Sequence, residues 1–138
     1  MPPVDDLPTL LRSMQPVLHA GVYAFASVPP DTDLSRLVPL ATFREAEGVT
    51  VIVDAEVADR AGLDVAFRAA WITLTVHSDL AAVGLTAAVA RALAEIGVSC
   101  NVIAAVYHDH MFVPVADADR ALARLVALQS DSDTAVGP

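Results

Sequence analysis

The alternation of hydrophobic and polar positions is clearest between Trp71 and Leu128, where it predicts the order strand, helix, strand, strand, helix. Residues 71–76 alternate large and small side chains and are rich in β-branched residues, which is typical of a strand. Apolar residues then recur at helical spacing until Gly97, which is suited to end a helix: Leu85, Val89, Leu93 and Ile96. Two more strands, residues 98–106 and 111–115, flank a polar turn at residues 108–110, and Asp117 is a predicted N-cap for a last helix. This order is that of the split-βαβ, or ferredoxin-like, arrangement.

The amino-terminal half follows the same order with a weaker first helix. After a short helix at residues 7–14, which Pro16 stops, the pattern predicts a strand at 22–28, a connector at 31–39, a hairpin with strands at 41–45 and 49–53, and a short helix at 56–61. We therefore predict tandem units: a degenerate unit at residues 1–66, a second unit at 67–129 and a disordered tail at 130–138. The predicted fold class is α+β, with ferredoxin-like βαββα units, an antiparallel sheet and helices on one face.

Composition narrows the range of partners. The chain has 138 residues and a formal net charge of −9, and its eight basic residues, all Arg, form no basic patch, so we expect neither nucleic acid nor membrane as a partner. The longest apolar run, residues 80–90, is too short to span a bilayer. Cys100 is the single cysteine, so no disulfide framework or thiolate metal cluster is expected, and we predict a cytoplasmic protein without a cofactor.

Residues 83–104 resemble the first helix and second strand of ACT domains, most closely those of the aspartokinase type. Gly84 matches the glycine that opens this helix in the family, and Gly97, Val98 and Asn101 match a Gly-Ile/Val-x-x-Asn stretch that leads into the next strand. The wider chain is similar to small bacterial tandem-ACT proteins of unassigned function. The shared motifs are AEGVT at 46–50, HSDLAAVGLTA at 77–87, CNV at 100–102 and YHDHMFVP at 107–114.

The chain departs from that family pattern in two places. Asp79 stands where a serine is usual, which alters the charge of any pocket there. In addition, no fourth strand is predicted after the last helix, so we expect the second unit to take its edge pairing from the first unit or from another copy, and we expect a homodimer.

The loop at residues 77–83 and the start of the following helix form the first candidate site. Unpaired amides at a helix N-terminus suit a carboxylate, and a glycine at position 84 would let a ligand approach the backbone. The family resemblance implies the same place, because ACT domains that bind amino acids do so at this loop, against a neighbouring unit. The alternative is that Ser78 or Asp79 caps the helix and Gly84 allows close packing. The ligand-binding residues predicted here and in the next strand are His77, Ser78, Asp79, Val83, Gly84, Leu85, Asn101 and Val102.

Asn101 is the second candidate, because it is a polar residue in a strand that otherwise reads as apolar. A buried amide needs a hydrogen-bond partner, which is either a group of the ligand or the loop at residues 77–83.

The third candidate is the pair His108 and His110, which would share one strand face and could hold a metal if His77 lay nearby. The simpler interpretation is a hairpin turn without metal, with Asp109 suited to its geometry.

Three hypotheses about function follow. The first is a non-catalytic regulatory protein that binds a small molecule. The family resemblance implies that this molecule is an amino acid. The second is a ligand-free dimerisation or protein-interaction module. The third is a small metal-dependent enzyme centred on His108 and His110, although no nucleophile–base pair, Gly-rich phosphate loop or metalloprotease motif accompanies it.

Overall fold

The computed structural model describes residues 2–134. The helices are α1 (Leu7–Ser13), α2 (Ala55–Arg60), α3 (Leu85–Glu95) and α4 (Ala118–Thr134). The strands are β1 (Pro16–Leu18), β2 (Tyr23–Val28), β3 (Ala41–Arg44), β4 (Val49–Asp54), β5 (Val65–Leu74), β6 (Asn101–Ala104) and β7 (Asp109–Pro114). Short 3₁₀ turns occupy Leu34–Arg36 and Val115–Asp117.

The chain divides into two compact units. Residues 20–70 form one of them, the insert unit, and the described residues of 1–19 and 71–138, which are 2–19 and 71–134, form the other, the split unit. The predicted boundary between residues 66 and 67 follows the order of the sequence, whereas in space helix α1 and strand β1 pack with the carboxyl-terminal half. Strand β5 passes from one unit into the other, since its early residues pair with β2 and its last residues pair with β1.

The insert unit is a complete ferredoxin-like unit with the strand order β3-β4-β2-β5. Strand β2 is antiparallel to β4 along its whole length and antiparallel to the first half of β5. As predicted, its first helix is reduced, here to the turn at Leu34–Arg36. Helix α2 lies close to the sheet because the side chains between them are small. These alanines and valines form most of the buried core of the insert unit: Ala24, Ala26, Val28, Val49, Val51, Val53, Ala55 and Ala58.

The split unit has β5 and β7 as neighbours, with β6 beyond β7 and β1 paired to β5. Strand β1 runs antiparallel to the end of β5, from Pro16 opposite Leu74 to Leu18 opposite Ile72. It occupies the position of the fourth strand of a ferredoxin-like unit. The missing edge pairing thus comes from residues that the predicted boundary had placed in the first unit.

Helix α1 fixes this amino-terminal segment to the split unit. Its N-cap Asp6 accepts hydrogen bonds from the Thr9 amide at 3.1 Å and the Thr9 hydroxyl at 2.6 Å. Leu10 and Met14 are fully buried, and α1 contacts both α3 and α4. Helix α1 and its C-cap therefore contribute Leu10 and Met14 to the packed core of the split unit.

Two element ends differ from the prediction. The predicted turn at residues 108–110 lies earlier, because the Ala105 amide donates to the His108 carbonyl at 3.1 Å and β7 begins at Asp109. The predicted tail begins too early, because α4 continues to Thr134. Side-chain hydrogen bonds stabilise this last part of α4. Gln129 donates to the Arg12 carbonyl at 2.7 Å, and Ser132 donates to the Leu128 carbonyl at 2.8 Å. Residues 135–138 of the predicted tail lie outside the described residues.

Candidate functional site

A small cavity of about 120 Å³ lies in the split unit, between the loop after β5, the start of α3 and the β6–β7 hairpin. We call it the loop pocket. Its lining residues are Ser78, Asp79, Leu80, Ala82, Gly84, Leu85, Thr86, Ala104 and Asp109. Four predicted site residues, Ser78, Asp79, Gly84 and Leu85, are therefore brought together there.

The start of α3 presents backbone donors to this pocket. The first intrahelical hydrogen bond runs from the Ala88 amide to the Gly84 carbonyl at 2.9 Å, so the amides of Leu85, Thr86 and Ala87 have no acceptor within the helix. The N-cap position is Gly84, and no side chain caps the helix. The predicted alternative, a cap by Ser78 or Asp79, is therefore not what the structure contains. Unpaired amides and the helix dipole together favour an anionic group here.

The loop itself is held by residues near the amino terminus. The Val4 amide donates to the His77 carbonyl, and the Asp79 amide donates to the Val4 carbonyl, both at 2.8 Å. The Asp79 carboxylate accepts a hydrogen bond from the Ala81 amide at 2.8 Å, which is a local turn contact. One oxygen of Asp79 is thus occupied by the loop, and these contacts fix the loop before any ligand arrives.

Asp109 is the charged pocket residue that sequence reasoning missed. Its side chain is only 7% exposed and lines the pocket, and Ser78, which is 5% exposed, donates its hydroxyl to Oδ2 of Asp109 at 3.3 Å. Among the described residues, this is the one hydrogen bond found for the Asp109 carboxylate. No buried side-chain oxygen in the described part of the chain lacks a partner, so the second oxygen of Asp109 is accessible beside the pocket, where it can accept a hydrogen bond from a cationic group.

Asn101 and Val102 do not reach the loop pocket. Strands β5 and β7 run in opposite directions, because Trp71 packs on Phe112 whereas the Val76 carbonyl, further along the chain, lies against the earlier His108. Strand β6 is antiparallel to β7, with Asn101 opposite Phe112 and Ala104 opposite Asp109. The end of β6, and not its beginning, therefore meets the loop after β5. At about 3.3 Å per residue, Asn101 lies roughly 10 Å along the strand from Ala104.

The environment of Asn101 also differs from the prediction. Its side chain is exposed, because β6 lies at the end of the strand order and is open to solvent. The expected need for a buried hydrogen-bond partner does not arise there.

His77 and Val83, also predicted site residues, lie beside the pocket without lining it. The His77 ring contacts the Tyr107 ring, with centroids 5.3 Å apart, and Val83 is strongly exposed.

Gly84 is required by the backbone for a reason other than ligand access. Its φ of 106° lies in the left-handed region, where side chains with a Cβ are strained. A Cβ on Gly84 would also lie 3.0 Å from Cδ2 of Leu7. The glycine thus allows α1 to pack against the start of α3, which agrees with the close-packing alternative.

The three histidines proposed as metal ligands point to different partners. His77 lies against Tyr107, Nδ1 of His108 lies 3.3 Å from the Val76 carbonyl, and His110 faces Trp71 and Thr73. No group of three or more His, Cys, Asp or Glu side chains that could hold a metal ion is found in the part of the chain that is described.

His110 belongs instead to a polar cluster on the sheet of the split unit. Trp71 donates its indole N–H to Nδ1 of His110 at 3.1 Å, and the Thr73 hydroxyl lies 3.0 Å from the same nitrogen. His19 stacks on Trp71 and lies 2.7 Å from the Thr73 hydroxyl. Burial lowers the pKa of both histidines. For His110 the neighbouring His108 and His19 lower the pKa further, and the Asp109 carboxylate opposes them in part. Because Nδ1 of His110 accepts the indole N–H, this arrangement needs the neutral imidazole.

Comparison with known proteins agrees with this architecture. Two ACT domain models match the chain, over residues 2–70 and 67–126. A solved structure from Vibrio cholerae, of a protein of unknown function described as a possible transport protein, is 51% identical to this chain. The match covers 89% of this chain and 95% of that one, with a TM-score of 0.82. No curated protein matches the sequence.

More distant structures share the fold alone. The regulatory subunit of aspartate kinase from Thermus flavus is 12% identical, with a TM-score of 0.62 over 82% of this chain and 95% of that one. An Agrobacterium tumefaciens protein is 14% identical, with a TM-score of 0.65 over 83% of this chain and 87% of that one.

The chain belongs to the ACT-domain family and carries two such domains in tandem. The predicted family and the predicted α+β, ferredoxin-like fold class are therefore confirmed. ACT domains are typically regulatory domains that bind amino acids. Among the described residues, no helix is both long enough and apolar enough to cross a membrane.

Proposed function

We propose that this protein is a non-catalytic, cytoplasmic regulatory protein that binds an amino acid in the loop pocket of the split unit. The observation that carries the proposal is that one small cavity contains both hydrogen-bond donors for an anion and a carboxylate for a cation. Unpaired amides at the start of α3 favour a carboxylate, and the buried Asp109 favours a cation. An amino acid satisfies both with a single molecule, and no group with an obvious catalytic task accompanies them among the lining residues.

A thermal-shift screen of the twenty amino acids tests the proposal. A ligand that binds only the folded state stabilises it by RT ln(1 + [L]/Kd), which is about 2.7 kcal/mol at a hundredfold excess over Kd. We expect at least one amino acid to raise the melting temperature in a concentration-dependent manner. If none of the twenty does so, the amino-acid function is wrong.

Substitutions at Thr86 assign the binding to the pocket. Thr86 is exposed, lines the cavity and lies in the first turn of α3. In Thr86→Glu, the new carboxylate favours the helix N-terminus and so preserves the fold, while it competes with a ligand carboxylate for the same amides. Thr86→Gln has nearly the same size without the charge and is the matched control. We expect the ligand-induced shift to disappear in the Glu variant and to remain in the Gln variant, whereas equal shifts in both would place the binding elsewhere.

A homodimeric interaction module is the second candidate function, supported by exposed apolar side chains near the open edge of the split unit. Strand β6 ends the strand order, and large apolar residues are exposed on it and in the adjacent loops: Leu80, Val83, Ile103, Val106 and Tyr107. Open strand edges and apolar patches favour pairing with another chain. We expect a dimeric mass by light scattering at micromolar concentration, and Val106→Asp with Tyr107→Ser should shift it towards the monomer. A monomeric mass for the unchanged protein would contradict the dimer.

A further inference from the structure

The charged side chains that line the loop pocket restrict which amino acids it can bind. Two carboxylates line it, Asp79 and Asp109, and no Arg or His side chain is among the lining residues. The Asp79 carboxylate accepts the Ala81 amide at 2.8 Å, so one of its oxygens is committed to the loop. Asp109 is the more buried of the two, and its one hydrogen bond among the described residues comes from Ser78 at 3.3 Å.

We infer that Asp109 and Ser78 read the α-ammonium group of the ligand, and that the ligand is an α-amino acid whose side chain carries no negative charge. This inference rests on the proposed function. A primary ammonium has three donors and no acceptor, which suits the Asp109 carboxylate and the Ser78 oxygen. The carboxylate of the same molecule meets the free amides of α3, where Gly84 leaves the N-cap without a competing side chain.

The charge of the pocket disfavours a ligand with an acidic side chain. A cavity of about 120 Å³ has room for the charged head of an amino acid. The other lining residues are Leu80, Ala82, Gly84, Leu85, Thr86 and Ala104, none of which is charged. A second carboxylate on the ligand would therefore find two acidic side chains and no cationic one, and like charges at short range repel strongly in a partly buried site.

Binding by the unchanged protein provides the first test, because it does not depend on any variant folding. By calorimetric titration and thermal shift, we compare alanine, leucine and lysine with aspartate and glutamate, and compare alanine with propionate, which lacks the ammonium. We expect binding from the non-acidic amino acids and at least tenfold weaker binding from the acidic ones and from propionate. Aspartate or propionate binding as tightly as alanine would overturn the inference, although either result would leave ligand binding at the pocket intact.

Asp109→Asn provides the second test. The amide has the shape of the carboxylate and can still accept from Ser78, but it lacks the charge that holds an ammonium. We expect it to weaken binding of the preferred amino acid by roughly 10- to 100-fold, the range for losing a hydrogen bond to a charged group. Asp119→Asn makes the same chemical change at an exposed position in α4 and should leave binding unchanged. If both variants bind like the unchanged protein, Asp109 does not read the ammonium, whereas the proposed function would still hold.

Discussion

The most direct structural prediction concerns Leu10, which tests whether residues 1–19 belong to the core of the split unit. Leu10 is 0% exposed on α1, a helix that contacts both α3 and α4. Leu10→Ala removes three buried carbon groups, worth about 0.8 kcal/mol each in transfer free energy, or about 2.4 kcal/mol together. The cavity left behind adds to this, so we expect a loss near 3 kcal/mol within the range of about 2–5 kcal/mol seen for such changes. That is a large part of the 5–15 kcal/mol that typically holds a domain together.

Urea unfolding followed by the fluorescence of Trp71, the single tryptophan, measures this loss in the split unit itself. Val17→Ala is the control, because Val17 lies in the adjacent β1 but is 45% exposed, so its truncation should cost less than about 1 kcal/mol. If the two variants unfold at the same urea concentration, α1 is not part of the packed core, and the assignment of residues 1–19 to the split unit is wrong.

Three further predictions concern titration, backbone strain and thiol reactivity. Burial lowers the pKa of His19 and His110, so below about pH 6.5 the unfolded chain binds more protons than the folded protein. The free energy of unfolding in urea should therefore be lower at pH 5.5 than at pH 7.5, and equal values would contradict this. Val38 is an exposed β-branched residue with φ of 44°, so Val38→Asn should raise the free energy of unfolding by about 1 kcal/mol, and a loss of stability would show that the strain is absent. Burial raises the pKa of the Cys100 thiol to about 11, so iodoacetamide at pH 8 should modify the folded protein much more slowly than the protein in urea, and equal rates would refute the shielding.

Local patterns were sufficient to predict much of the fold. Hairpins around short polar turns, and helices that end at glycine, depend on residues close in sequence. This is why the strand–helix–hairpin–helix order in each half was recognisable. Gly97, predicted to end a helix, follows α3 with φ of 74°.

Strand β1 could not be predicted in the same way. It has three residues, begins with a proline, and gains its hydrogen bonds from residues 72–74, more than fifty positions away. Neither the residues of β1 nor their neighbours carry a signal for that pairing.

The candidate site was predicted in part. Ser78, Asp79, Gly84 and Leu85 were found because a polar loop before a glycine-initiated helix has a recognisable composition. Asp109 was missed because the stretch around it resembles a turn.

One sequence signal could have found Asp109. A polar residue in a buried strand needs a hydrogen-bond partner, and we used this rule to single out Asn101. The same rule fits Asp109 better, because Asp109 directly precedes the strand-like run from His110 to Pro114 and is buried. Choosing between the two residues required the register that places Ala104 opposite Asp109.

The central claim, amino-acid binding in the loop pocket, is tested most directly by NMR titration of the isotopically labelled protein with the preferred amino acid from the thermal screen. We predict saturable changes in the backbone amide signals of Leu85, Thr86, Ala87 and Asp109, with smaller changes at Asn101. Changes confined to residues outside the pocket, or no changes while the thermal shift persists, would contradict the account.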